Sequence, residues 1–249
     1  SLPFRVTPSS GGGLVVHGEA AFVPDAADAD RLLLPALDDD GEPVVVSIDP
    51  GAPGLDVHAQ PVLDTTRRLA RVRAEGVEVA EGVEVADADG DAVVWRFLGE
   101  PAAAVAALRD RAAVAVACDS LGLSEAMLDA TVAYAGVRQQ FGRPIGSFQA
   151  VKHACADMLV QVSVARELVA AAVEQVAAAD PAAAVAVSMA KAYACGTAVD
   201  VVGKALQLHG GIGYTWESGL HVYLKRATLD RVLFGSPPAH RQRLSARHL

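Results

Sequence analysis

The stretch Val93-Val94-Trp95-Arg96-Phe97-Leu98-Gly99-Glu100-Pro101-Ala102-Ala103-Ala104-Val105 divides the chain into two texts with different periodicity. Val93 to Phe97 is a short β-branched and aromatic run, which reads as a strand. Pro101 suits a first helical position, where its missing N–H leaves nothing unpaired, and alanine-rich text follows it. Working back from this point, Leu14-Val15-Val16, Leu32-Leu33-Leu34 and Val44-Val45-Val46-Ser47-Ile48 are further short strand-like runs. Turn text separates them at Gly11-Gly12-Gly13, Asp38-Asp39-Asp40-Gly41, Pro50-Gly51-Ala52-Pro53-Gly54 and Asp89-Gly90. Leu69 and Val72 set against Arg71 and Arg73 give partial alternation. Gly76-Val77-Glu78-Val79 and its near-duplicate Gly82-Val83-Glu84-Val85 are too short for a repeat architecture and read as a strand followed by a slipped copy in a loop. Residues 1–98 are expected to form a small antiparallel β-barrel or sandwich.

Working forward, the spacing predicts helices at about 101–138, 148–178, 182–208, 218–230 and 238–246. Asp180-Pro181 is a good helix start. Phe148, Val151, Cys155, Met158, Val162, Ala165, Val169, Val173 and Val176 recur every three or four residues and make one apolar stripe. Long helices with short connections imply an antiparallel helical bundle over 99–249, and an α+β chain as a whole.

The chain has 249 residues, 52% of them hydrophobic and only 5% aromatic, so its core depends on close helix packing around alanine rather than on large anchors. A formal net charge of -9 argues against a nucleic-acid binder, which needs a basic face. Cys118, Cys155 and Cys195 are widely spaced in helical text and read as buried free thiols, as expected for a reducing cytoplasm. No Cys/His cluster suggests a metal. The most apolar stretch, Ala102 to Leu123, is interrupted by Arg109, Asp110, Arg111 and Asp119, so no membrane span is expected.

Two segments carry candidate chemistry. In Arg138-Gln139-Gln140-Phe141-Gly142-Arg143-Pro144-Ile145-Gly146-Ser147-Phe148-Gln149-Ala150, a helix ends near Gly142 and the next starts near Ser147. An arginine at such a corner can fork onto a phosphate. Phe141 offers an aromatic face, and Gln149 paired donor and acceptor atoms suited to a base edge. In Gln207-Leu208-His209-Gly210-Gly211-Ile212-Gly213-Tyr214-Thr215-Trp216-Glu217, the glycines stop a helix and let the backbone approach a ligand closely. Either segment alone is explained by helix termination. His209 reads as a helix-end histidine, and Trp95 and Trp216 as packing residues. Ser9-Ser10-Gly11-Gly12-Gly13 lacks the Gly-Lys-Ser/Thr of a phosphate loop.

Taken together, the order and spacing of the two segments resemble the flavin-binding signatures of the acyl-CoA dehydrogenase family. That family has an R-x-x-F-G corner, a later Gln, and Q-x-x-G-G-x-G before an acidic residue. The β half, with Gly18-Glu19-Ala20-Ala21-Phe22-Val23-Pro24-Asp25-Ala26, is similar to the family's middle β-domain, and the helical half to its C-terminal bundle. In the family a further helical domain precedes these two, and this sequence does not contain it. The resemblance implies FAD at a subunit interface. It implies Arg138, Gln207, Gly210 and Gly211 at the pyrophosphate and Phe141 and Gln149 at the adenosine end, with Gln140 in the same contact set.

The same resemblance implies a loss. The family's α-proton abstraction needs a carboxylate base, usually the Glu of a Y-E-G-T segment. The matching text here is Val232-Leu233-Phe234-Gly235-Ser236, with Phe234 at the glutamate position. An alternative base on the first bundle helix would fall at Ala112. Asp110 matches an acid associated with substrate binding, and a shift of two residues along a helix turns the side chain by about 200°. Phe22-Val23-Pro24-Asp25 stands where a Trp and an Ile-Thr or Ile-Ser pair usually meet the flavin ring, and Lys225-Arg226 replaces an Arg-Asp pair. No catalytic residue is therefore assigned. The resemblance implies a cytoplasmic, non-catalytic subunit of an FAD-dependent acyl-CoA dehydrogenase heterotetramer (α2β2). Its partner is a second dehydrogenase-like subunit with the catalytic Glu, its substrate an acyl-CoA (by analogy with heteromeric members of the family, a steroid side-chain thioester), and its electron acceptor an electron-transfer flavoprotein. The alternatives are a structural or regulatory subunit without flavin contact, and a self-sufficient homo-oligomeric dehydrogenase.

Overall fold

The computed structural model describes residues 2–81 and 92–246. The chain divides into two compact units, Ser1–Ala107 and Leu108–Leu249, while the change from strand to helix falls at Pro101. The second copy of the short duplicate, Gly82 to Val85, and the Asp89-Gly90 turn lie outside the described residues.

The first unit contains β1 (Phe4–Pro8), β2 (Leu14–Pro24), β3 (Leu32–Leu37), β4 (Pro43–Ile48), β5 (Leu55–Gln60), β6 (Leu69–Glu81) and β7 (Ala92–Arg96). The sheet order is β2-β1-β3-β4-β7-β6-β5, and an added β2–β6 pairing closes six strands into a barrel, with β5 paired to β6 outside the ring. Strand alternation fills the barrel: Phe4, Val6, Val16, Leu34, Val46, Ile48, Val72 and Val94 are buried together, while Leu33 between its inward neighbours points to solvent. The expected wholly antiparallel barrel or sandwich is corrected at two places, because β1–β3 and β6–β7 are parallel. Both edges of β2 are occupied, by β1 and by β6. The chain leaving β2 therefore enters at the free edge of β1, and there it runs in β1's direction. Gly18 makes this ring possible: a Cβ there would lie 2.3 Å from the Pro3 carbonyl oxygen. β1 and β5 were not anticipated from the sequence.

The helices are α1 (Pro101–Val137), α2 (Gln149–Ala177), α3 (Ala183–His209), α4 (Leu220–Asp230) and α5 (Pro237–Ser245). In the second unit α3 is central and packs against α2, α4 and α5. Ala113 and Ala117 of α1, Ala165 and Ala172 of α2, and Ala190 and Ala194 of α3 share one cluster, so the helices approach through small side chains. The stripe on α2 is buried at Met158, Val162, Ala165 and Val169 but not at Val173, which is 43% exposed. Ala172 is buried in its place, because four residues overshoot a turn of 3.6.

Three further readings need correction. Asp180 accepts from the Ala182 N–H at 2.7 Å and so shapes the turn before α3, whose own cap is Ala182. Cys195 alone of the three cysteines is buried; Cys155 is half-buried and Cys118 exposed, since α1 and α2 each show one face to solvent. Among the described residues, the helix long and apolar enough to cross a membrane is α3, followed by its glycine turn, rather than Ala102 to Leu123, and most of it is buried within the bundle.

Candidate functional site

The first corner is tighter than a simple helix break. α1 ends at Val137, and β8 (Gln139–Gln140) and β9 (Arg143–Pro144) form a small hairpin. Phe141 and Gly142 make its turn at φ 53° and 74°. Two successive left-handed residues form the hairpin turn that suits strand twist. Glycine adopts that conformation freely, whereas a phenylalanine is strained in it. Phe141 is 91% exposed, meets Phe148 edge-on at 6.1 Å, and Phe148 in turn lies under the Arg143 guanidinium at 4.1 Å. Arg138 is held by its backbone, donating to the Tyr134 carbonyl and accepting from the Ile145 N–H, which leaves its exposed side chain free to reach outward.

The second corner ends α3 at His209, followed by a 3-10 turn over Gly210–Tyr214. Its glycines have different reasons. Gly210 takes φ 64°. Gly213 is forced by packing, since a Cβ would lie 2.7 Å from the Leu206 carbonyl oxygen. Gly211 has neither reason, and a Cβ there would point into open space. A side chain at Gly211 is therefore excluded by nothing inside the fold.

The two corners meet. A cleft of about 400 Å³ is lined by Tyr134, Arg138 and Gln140 from one side and His209, Gly210 and Gly211 from the other. Four of the residues singled out by sequence thus share one surface. Phe141, Gln149 and Gln207 do not line it: Phe141 tops the hairpin, Gln149 is the exposed first residue of α2, and Gln207 is exposed one turn back on α3. Tyr134 and His209 were not anticipated as cleft residues. Their rings stack at 4.4 Å, a contact between helices that no spacing along the sequence announces.

The turn between α4 and α5 is built differently. Phe234 again has a strained φ of 53°. Lys191, fully buried on α3, donates to the carbonyls of Asp230 at 3.0 Å and Gly235 at 2.9 Å. His240, also buried, places Nε2 3.1 Å from the Phe234 carbonyl and Nδ1 3.3 Å from Ser188 Oγ. Burial lowers the pKa of both Lys191 and His240. Nearby, Asp110 is ion-paired with Arg243 at 2.9 Å, Ala112 is half-buried, and Arg226 reaches Asp119 at 2.7 Å. Trp216 is not a core residue: it is 78% exposed and carries His221 and Lys225 on its ring.

A profile described as "Acyl-CoA dehydrogenase, C-terminal domain" matches residues 103–249. The chain belongs to the acyl-CoA dehydrogenase family. It is 38% identical over 190 residues to "Acyl-CoA dehydrogenase IpdE2" of Mycobacterium tuberculosis, covering 76% of this chain and 51% of that protein. Its fold superposes on a chain of the ChsE4-ChsE5 complex from Mycobacterium tuberculosis with a TM-score of 0.83 at 26% identity, over 99% of this chain and 62% of that one. A variant of the Tcur3481-Tcur3483 steroid ACAD matches with a TM-score of 0.79 at 28% identity, over 98% of this chain and 62% of that one. The chain spans about half the length of the curated IpdE2 relatives that it matches.

FAD is the cofactor of acyl-CoA dehydrogenases, and the cleft's donor set suits the anionic part of such a group. An exposed guanidinium, an amide side chain and two glycines without side chains face the same space. Phe234, which the resemblance sets at the position of the family's usual base, has a side chain with no proton acceptor. Phe22, in the segment that the resemblance sets where the family usually meets the flavin ring, is half exposed at φ 58°, and its N–H donates to Gln60 Oε1 at 2.7 Å.

Proposed function

We propose that this chain is the non-catalytic subunit of an FAD-dependent acyl-CoA dehydrogenase complex that desaturates an acyl-CoA thioester between Cα and Cβ. The observation that carries the reading is an imbalance within one helical unit. The Arg138–Gly211 cleft keeps its phosphate-suited donors, whereas Phe234 replaces the base. Arg138, Gln140, Gly210 and Gly211 hold the pyrophosphate of FAD, with Gln207 beside them, and Phe141 and Gln149 contact the adenosine end. The bound cofactor supplies the two-electron acceptor for the substrate's β-hydride. The partner, a second dehydrogenase-like subunit, supplies the flavin-ring pocket and the glutamate that removes the α-proton. Pairing two copies of this chain would bring together two pockets without a base, so the assembly is a heteromer, α2β2, with one working site per heterodimer. A cytoplasmic setting and an electron-transfer flavoprotein as acceptor complete the proposal.

Similarity to a steroid ACAD and to a chain of the ChsE4-ChsE5 complex supports a bulky steroid side-chain thioester as the substrate class, by analogy. In the coexpressed complex, changing the partner's Glu to Gln abolishes acyl-CoA oxidation, whereas Phe234→Glu in this chain leaves it nearly unchanged. Arg138→Ala lowers FAD occupancy, since a charged hydrogen bond to phosphate contributes about 1.5–3 kcal/mol. A complex without a flavin spectrum would favour a structural or regulatory subunit. Oxidation of an acyl-CoA by this chain alone, at the rate of the complex, would favour a self-sufficient enzyme.

A further inference from the structure

We propose that the apolar rims of the Arg138–Gly211 cleft are the surface on which the glutamate-bearing partner subunit docks, with Trp216 as the anchoring side chain. The inference rests on the reading of the cleft as one end of an FAD site shared between two unlike subunits, and it adds which side chains of this chain hold the two together. Both rims carry large apolar side chains in the open. Val137 and Phe141 stand on the side of α1 and its hairpin, next in sequence to Arg138 and Gln140 of the cleft wall. Ile212, Tyr214 and Trp216 stand on the side of the glycine turn, all of them exposed. Ile212 also lines the cleft, so the second rim is continuous with it.

The loop that bears Trp216 is stiff. Thr215 Oγ1 donates to the Ile212 carbonyl at 3.0 Å, Ser218 Oγ donates to the Thr215 carbonyl at 3.0 Å, and Ser218 Oγ also accepts the Leu220 N–H at 3.3 Å. Gly213 is buried between two exposed neighbours, so residues 212, 214 and 216 are the ones thrown outward. The indole of Trp216 rests on α4: the His221 ring centroid lies 4.4 Å away and the Lys225 ammonium 4.9 Å from the ring centre. Residues four apart share one side of a helix, so α4 supports the indole from one side and leaves the other to solvent. A side chain fixed before binding loses little freedom when a partner covers it. Trp and Tyr are also the residues that most often carry the energy of an interface.

Area and charge decide the occupant. The exposed parts of Phe141, Tyr214 and Trp216 amount to roughly 450 Å², about half of the ~800 Å² that one side of a standard protein interface buries. That is the scale of a protein partner. The charges around the patch have one sign. Arg138, Arg143 and Lys225 pair with no carboxylate among the described residues, and Glu217 is the one acidic residue in the segments 137–144 and 210–217. A second copy of this chain, set against the same patch across a two-fold axis, would bring these cations together. A partner that offers an apolar recess edged by carboxylates fits instead. Under the proposed function the cofactor leaves this cleft for the flavin pocket of the glutamate-bearing subunit, so that subunit meets both rims.

The test follows Trp216 by hydroxyl-radical labelling, with mass spectrometry to place the oxidation on this chain's own peptides. The wild-type complex with the coexpressed glutamate-bearing subunit is compared with this chain purified alone, both in excess FAD. Trp216 and Tyr214 are oxidised in the chain alone and protected in the complex. Equal oxidation in the two samples would show that the partner docks elsewhere. Protection that develops in the chain alone as its concentration is raised would assign the surface to a second copy, and the proposal would be wrong. A dilution series then measures association: Trp216→Ala weakens it at least about thirtyfold, as expected for a central aromatic anchor, and Trp216→Phe recovers most of the loss. Undiminished association of Trp216→Ala would overturn the anchoring role. Arg138→Ala separates this inference from the reading beneath it. If that variant keeps its full FAD while Trp216 is protected, the cleft has been misread and the docking surface stands. If it loses FAD while Trp216 in the wild-type complex stays reactive, the cleft stands and the docking surface falls. The labelling needs no variant at Trp216, so a misfolded Trp216→Ala does not shield the proposal.

Discussion

The corner at Phe141 and the turn at Phe234 are each built on a phenylalanine in a left-handed conformation, and their surroundings have opposite character. Around Phe141 the side chains are exposed, the hairpin is two residues deep on each side, and the adjoining cleft is left open by glycines. Around Phe234, three backbone carbonyls are tied down by buried Lys191 and His240. Strain at the first corner lies beside a surface that can take a ligand. Strain at the second is held in place by the interior of the bundle. A turn that carries a working base needs that kind of fixing, and under the proposed function this fixed turn holds a side chain that cannot abstract a proton.

The contrast can be broken first at Lys191. Replacing it with Met leaves the Asp230 and Gly235 carbonyls without their buried donor, and the bundle is expected to lose roughly 3 kcal/mol or more by denaturant unfolding. An unchanged midpoint would mean that the turn is not held as described. A smaller effect comes from a pair of glycines in the other region. Gly213→Ala drives a Cβ toward the Leu206 carbonyl oxygen and costs about 1–3 kcal/mol of stability. Gly211→Ala changes stability by less than about 0.5 kcal/mol but lowers FAD occupancy, because its Cβ enters only the cleft. Equal losses of stability in the two variants would remove the distinction between a packing glycine and a ligand-facing one.

The smallest effect is a pH dependence. Burial lowers the pKa of His240, so the unfolded chain binds its proton more readily than the folded one. Stability is then fully present above the ordinary imidazole value and is lost as pH falls through the lowered one. Thermal melts from pH 7.5 down to 5 should show this decline, and His240→Gln should flatten it. A slope that survives the substitution must come from another group.

The five helices were legible because Pro101, the glycines after Gln207 and the regular apolar spacing on α2 are local signals. The barrel was legible only in part. β1 is five residues long and β5 is a half-exposed edge strand, so neither shows an apolar alternation strong enough to read. The parallel pairings depend on which strand edges remain free once β2 is flanked on both sides, and no residue pattern encodes that. Arg138, Gln140, Gly210 and Gly211 line one cleft because each belongs to a short motif and the fold brings the two motifs together. Tyr134 and His209 carry no such signal, because their stacking joins residues far apart in sequence. The same holds for Lys191 and His240, whose role is set by carbonyls of a turn 39 to 44 residues away for the first and six for the second.

The account stands most directly on a count of flavin. The chain should be coexpressed with a dehydrogenase-like partner that carries the glutamate, purified as a complex, and its FAD measured against each subunit after denaturation. One FAD for each pair of unlike chains is the predicted result, with little flavin retained by this chain purified alone. One FAD for every copy of this chain, in the absence of any partner, would contradict it.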